Sequence, residues 1–258
     1  MTFHAVLASQ IALAFFPGIP HASPLSDTQA VELRPSDDSD RWHFEFVPYV
    51  WLASLDGTIG LDPLPVAKVS ADLPDPWVNL DFALADSFTA RKGRWAVLSD
   101  ITFSKLDVDD SVSSSHIKVD SGLWSASLEG GYAVVDAPGG RIELLAGVRY
   151  TSMNNDAESS GGVNASNTSN DAWLEPIVGL NASADLAGRV SAGLLANVGG
   201  FGVGSQLSYE LLPRVSYAWN EIITLHAGYR LLALDVDSSN VKYDVREAGW
   251  LFGVGFNF

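Results

Sequence analysis

The chain has 258 residues, no cysteine, and 31 acidic against 15 basic residues, a formal net charge of −16. So acidic a chain has little with which to displace phosphate counterions, which argues against a nucleic-acid partner. Hydrophobic residues make up 47% and glycine numbers 23, yet no stretch approaches the roughly 18 apolar residues of a spanning helix, so a membrane could be crossed only with strands.

Ala5 to Phe16 is an apolar run followed by Pro17-Gly-Ile-Pro20 and His21-Ala22-Ser23. The pattern predicts a secretory signal peptide over residues 1–22, cleaved near Ala22, although Met1 to His4 lacks the usual basic residue. A short amphipathic N-terminal helix is the alternative. Residues 23–41 are mostly polar, with Asp37, Asp38 and Asp40, and predict a flexible periplasmic tether. The absence of cysteine suits passage through an oxidising compartment.

From Trp42 to Phe258 hydrophobicity alternates with period 2, the signature of strands. Ten strands are predicted, at 43–54, 82–91, 94–107, 118–134, 141–152, 173–185, 189–199, 206–217, 221–236 and 244–258. Each is at least about the 9–11 residues that cross a bilayer at a tilt. The connections alternate too. Lys92-Gly93, Asp136-Ala-Pro-Gly-Gly140, Ala187-Gly188 and Ala218-Trp-Asn220 are tight, whereas 55–81, 108–117, 153–172, 200–205 and 237–243 are mostly longer. Short turns at one end and longer loops at the other, on an even strand count, predict an all-β, antiparallel, up-and-down transmembrane barrel with both termini periplasmic. Gly57-Thr-Ile-Gly-Leu and Val66-Ala-Lys-Val-Ser-Ala-Asp-Leu predict a hairpin in the first external loop; if both entered the wall, the barrel would have twelve strands.

Parity assigns the faces. Along the last strand Ala248, Trp250, Phe252, Val254, Phe256 and Phe258 share one face, against Glu247, Gly249, Leu251, Gly253, Gly255 and Asn257 on the other. Ile142, Leu144, Ala146, Val148 and Tyr150 are predicted on the lipid side, as are Leu174, Pro176, Val178 and Leu180, and Leu207, Tyr209, Leu211, Pro213, Val215 and Tyr217. The lumen receives Glu129, Glu143, Arg149, Glu175, Asn181, Asn197, Glu210, Arg214, His226, Arg230 and Glu247, with Asp100 and Glu45, because charge at membrane depth is tolerated only there. Trp95, Tyr132, Tyr217, Phe256 and Phe258 predict one interfacial aromatic belt, and Phe103, Trp124, Tyr150 and Tyr209 the other.

Phe46-Val-Pro-Tyr-Val-Trp-Leu-Ala-Ser-Leu-Asp-Gly-Thr-Ile-Gly, Leu80-Asp-Phe-Ala-Leu, Ala90-Arg-Lys-Gly-Arg-Trp-Ala-Val-Leu-Ser-Asp100, Val198-Gly-Gly-Phe-Gly-Val-Gly-Ser205 and Gly228-Tyr-Arg-Leu-Leu carry a resemblance to a poorly characterised family of proteobacterial outer-membrane β-barrel proteins. It covers nearly the whole mature chain, departing at Ala85 and Thr89, and implies a bacterial outer-membrane location. Implied partners are outer-membrane lipid, lipopolysaccharide, and the barrel-assembly machinery acting on the strand that ends at Phe258. It implies no established activity.

Gly200-Phe-Gly-Val-Gly204 is read as a tight external turn, since no helix follows to make it a nucleotide loop. No cofactor motif is present, and the histidines lie on separate elements. Ser114 and His116, sharing a face with Asp109 or Asp110 nearby, are the candidate set for acyl transfer at the outer rim. Asp107, Asp109 and Asp110, and separately Asp235 and Asp237, are candidate ligands for a divalent cation bridging lipopolysaccharide phosphates, or simply solvate the loop bases. The leading expectation is a non-enzymatic barrel with a narrow, charged lumen that serves a structural role or passes ions and small solutes. A rim enzyme is one alternative. A surface-binding protein working through loops 55–81, with Leu61, Leu64 and Trp77, and 153–172 is the other. Finally, a tight turn at 218–220 would set Tyr217 opposite Glu221 and Glu210 opposite Gly228, diagonal to both His226 and Arg230, predicting a Glu210–Arg230 ion pair.

Overall fold

A computed structural model describes residues 41–61, 67–71, 83–112, 115–160, 165–237 and 241–258. The expected signal peptide and nearly all of the tether, and Leu64 and Trp77, lie outside them. Among the described residues eleven strands form: β1 (Trp42–Leu61), β2 (Ala67–Ala71), β3 (Ala83–Lys92), β4 (Trp95–Val112), β5 (Ser115–Ala137), β6 (Gly140–Ser160), β7 (Ala165–Ala187), β8 (Val190–Val203), β9 (Ser205–Ala218), β10 (Ile223–Asp237) and β11 (Val241–Asn257). Neighbours in sequence are antiparallel neighbours in space, and β11 pairs with β1 from Glu45↔Asn257 up to Leu61↔Val241, which closes the wall. Closure removes every free sheet edge from the membrane-spanning part.

Ten strands make the barrel. β2 pairs only with the upper part of β1, Leu55↔Ala71 to Ile59↔Ala67, while the lower part of β1 pairs with β3. The segment is therefore a hairpin standing at the loop end, and the twelve-stranded arrangement is excluded.

The turns beside the termini are set by glycine. Gly93 and Gly188 each have φ of 56° at the first of two turn residues, and Gly139 has φ of 83° after Pro138, conformations that a Cβ disfavours. The fourth is longer than expected. Ala218 pairs with Thr224, and the Asn220 side-chain oxygen accepts hydrogen bonds from the N–H of Ile222 and of Ile223, at 2.8 and 2.7 Å. That cap holds 219–222 out of the ladder, so Tyr217 faces Leu225, not Glu221, and Glu210 faces Leu232, not Gly228.

The far end also differs from expectation. Residues 108–117 and 153–172 are not open loops: apart from 113–114 and 161–164, they continue the β4–β5 and β6–β7 ladders, with Ser111 opposite His116 and Ser159 opposite Ala165. Ser and Asn have poor strand propensity, but each is held by a neighbouring ladder already in register. The β8–β9 hairpin is shorter and turns through Gly200, Phe201, Gly202 and Gly204, all at positive φ.

The outward face is apolar between two aromatic belts. Trp95 packs edge-on against Tyr132, and Trp124 against Tyr150, with centroids 5.0 and 5.5 Å apart. Leu128 lies midway between Tyr132 and Trp124 on β5 and is 56% exposed. Eight residues of tilted strand separate the belts, about 20 Å at ~3.3 Å per residue, which approximates an outer-membrane apolar band.

Candidate functional site in the lumen

Inward side chains fill the barrel in three levels. Nearest the termini, Glu143 accepts hydrogen bonds from Arg91 Nε and Nη2 (3.0 and 3.3 Å), Arg141 Nε (2.7 Å) and Asn181 Nδ2 (2.8 Å). Asn181 in turn accepts from Arg214 Nη2 at 3.2 Å. Four donors on one carboxylate satisfy a buried charge that would otherwise be costly. On the opposite wall, Ser216 Oγ and His226 Nδ1 are 2.9 Å apart, and His226 Nε2 lies 3.2 Å from Glu45 Oε1.

The middle level is a chain of charge that crosses the lumen. Glu175, whose oxygens accept from Ser208 (2.8 Å) and Ser205, meets Arg149 at 3.4 Å. Arg149 Nη2 donates to Glu210 Oε2 at 2.5 Å, and Glu210 Oε1 stands 2.9 Å from Arg230 Nε. Arg230 donates from Nη2 to Asp100 (3.1 Å) and from Nη1 to Tyr49 OH (2.6 Å) and Thr102 (3.2 Å). Tyr49 passes its own proton donation on to Asp100 at 2.7 Å. The Arg230 guanidinium also lies 4.9 Å over the Trp51 ring, a cation–π contact. These residues come from β7, β6, β9, β10 and β4, so the links join opposite sides of the wall. Asn197 Nδ2 makes a second crossing to Glu129 Oε1 at 3.1 Å. Glu247 is buried beside the chain.

Above this level the lumen is apolar: Leu55, Leu123, Met153, Trp173, Leu234, Val236, Tyr243 and Val245 form one cluster with Trp51. Trp51 is 1% exposed, and Met153, Thr151, Glu143 and Glu175 are 0% exposed, so water has no contact with the inner wall at those residues. A ten-stranded barrel is only somewhat wider than its side chains can fill.

All nine residues expected to form the lumen network, Glu129, Glu143, Arg149, Glu175, Glu210, Arg214, His226, Arg230 and Glu247, face inward, but in separate groups. His226 joins Ser216 and Glu45 rather than Glu210. Tyr49, Thr102, Ser208, Arg91 and Arg141 share the inward parity of their strands but are not among the residues expected from the sequence, and Ser205, buried at the irregular start of β9, departs from that strand's parity. Asp235 and Asp237 are exposed on the outward face, Asp235 opposite Asp244, and among the described residues no group of three His, Cys, Asp or Glu could hold a metal ion. Ser114, and the side chains of Asp107, Asp109, Asp110 and His116, lie outside the described residues.

A closed antiparallel wall, an apolar outward band and a filled polar interior define a transmembrane β-barrel. The chain is similar to the outer membrane protease OmpT from Escherichia coli, at TM-score 0.53 and 7% identity over 84% of this chain and 96% of that one. It is also similar to Neisserial surface protein A (TM-score 0.39, 18% identity, 83% and 97% covered) and to the translocator domain of the autotransporter NalP from Neisseria meningitidis (0.46, 15%, 84% and 88%). No family model and no curated protein matches. At these identities the likeness is one of fold.

Proposed function

We propose that the chain is a bacterial outer-membrane barrel with periplasmic termini whose lumen is sealed, so that it acts as a rigid membrane-spanning body and not as a diffusion pore. The observation that carries this reading is the chain Glu175–Arg149–Glu210–Arg230–Asp100, which crosses the lumen under an apolar cap. Opening a path would mean breaking buried ion pairs and wetting the cap together, and stranding one buried charge alone costs about 3–5 kcal/mol. Lipid and lipopolysaccharide surround the belts, and the assembly machinery takes the last strand.

Liposomes containing the folded protein should swell in isosmotic small sugars no faster than empty ones. Solute-dependent swelling at the rate of an open channel would overturn the reading.

A second role, surface binding, is favoured by the wall of β4 to β7. Its strands run about ten residues past Trp124 and Tyr150 to Ser160 and Ala165, well clear of the apolar band. Replacing 154–170 by a short turn should leave the barrel folded while removing any such binding; unchanged binding by the shortened protein would count against it.

A further inference from the structure

We propose that Ser216, His226 and Glu45 form a nucleophilic site at the terminal end of the lumen, one that accepts the acyl group of a small carboxylic ester. Ser216 and His226 are directly paired across β9 and β10, and their side chains meet at 2.9 Å. Glu45 reaches them from β1, on the far side of β11. The intervening residue is Gly255, where a Cβ would stand 2.7 Å from His226 Nε2 and 3.0 Å from Glu45 Oε1. The missing side chain is what lets imidazole and carboxylate meet over the strand.

The roles follow from which nitrogen faces which oxygen. A carboxylate beside Nε2 favours the tautomer with its proton there, leaving the Nδ1 lone pair directed at the serine hydroxyl. Nucleophile, base and orienting acid are then in order, with serine on Nδ1 and acid on Nε2. The 3.2 Å contact is off the line of an ideal hydrogen bond, as is common before substrate binds. Arg214 stands on the same face of β9, two residues from Ser216, with its Nη2 donating to Asn181 at 3.2 Å. The middle level blocks approach from the far end. Ser216 is itself 8% exposed, and the Glu45 and Arg91 side chains are 25% and 27% exposed, so the open approach to the site is from the side of the termini.

In the step itself, Ser216 Oγ bonds to the ester carbonyl carbon as its proton passes to Nδ1, and the carbonyl electron pair becomes the oxyanion. Collapse expels the alkoxide, which leaves as the alcohol with the Nδ1 proton. Water, deprotonated by the same nitrogen, then cleaves the acyl-serine to the free acid and restores the hydroxyl. Glu45 is a positioning residue: it touches no reacting atom.

The experiment is labelling of the full-length, folded protein with a fluorophosphonate, read by intact mass and peptide mapping. One adduct per chain at Ser216 is expected, absent in Ser216→Ala and formed about 100-fold more slowly in His226→Gln. Glu45→Gln should lower the maximal labelling rate without changing the half-saturating probe concentration, with partial rescue by Glu45→Asp. Heat-modifiable migration on gels shows which variants are folded; should His226→Gln fail to fold, Gly255→Ala, whose Cβ would press on His226 Nε2 and part it from Glu45, takes its place. No adduct on the wild type, an adduct elsewhere, or Ser216 labelling that neither His226→Gln nor Gly255→Ala slows would overturn the proposal. None of these outcomes bears on whether the lumen conducts.

Discussion

Glu210 and Arg230 stand on adjacent strands two residues out of direct opposition, their charged atoms 2.9 Å apart, and each is also tied to a partner on another strand. Glu210 holds Arg149, and Arg230 holds Asp100 and Tyr49. Diagonal neighbours at this separation are within reach of long side chains. The pair is the joint between two halves of the lumen-crossing chain.

Arg230→Leu should therefore destabilise by about 3–5 kcal/mol, because it leaves buried carboxylates uncompensated. The double variant Glu210→Leu/Arg230→Leu should lose less than the two singles summed. Urea titration of the folded protein in detergent micelles measures both, and strict additivity would show that the residues do not act as a pair.

Leu128 tests the outward face. Midway between the belts, Leu128→Arg should cost about 2–4 kcal/mol of folding into a bilayer. The same substitution at Trp95, at a belt, should cost about 0–1 kcal/mol from depth alone, besides its lost contact with Tyr132. Equal costs at the two positions would mean that the apolar band is misplaced.

Gly249 lies on the β11–β1 seam opposite Ala53, where a Cβ would come 1.7 Å from the Leu52 carbonyl oxygen. Backbone cannot move aside cheaply in a closed ladder, so Gly249→Ala should cost about 1–3 kcal/mol and slow the appearance of the heat-modifiable band. Wild-type folding kinetics would argue against a close seam.

Asn220→Ala removes two hydrogen bonds from the β9–β10 turn and should cost about 1 kcal/mol. The strand register should survive, since inward burial on both strands already specifies it. Cross-strand amide contacts by NMR would show Ala218 still opposite Thr224.

That turn marks where the sequence stopped being informative. Strand identity and facing were legible because period-2 alternation reports burial residue by residue: Glu143 against Leu144, or Arg230 against Tyr229. The Glu210–Arg230 pair was anticipated from a register that proved four residues out in summed numbering. Arg230 was diagonal to Glu210 in both registers, whereas His226 was diagonal only in the wrong one. The capping by Asn220 that lengthens the turn leaves no periodic trace. The extension of β6 and β7 was hidden because Ser, Asn and Gly between 153 and 172 read locally as loop, and only the facing ladder overrides that. The grouping of Ser216, His226 and Glu45 was out of reach altogether: Glu45 stands 181 residues from His226 and meets it only because β1 closes on β11.

The sealed lumen is tested most directly by single-channel recording of the folded protein in a planar bilayer. The wild type should insert without stable conductance steps, and Arg149→Ala/Trp51→Ala, which cuts the charged chain and thins the apolar cap, should show them. Steady openings of the wild type at modest voltage would contradict the account.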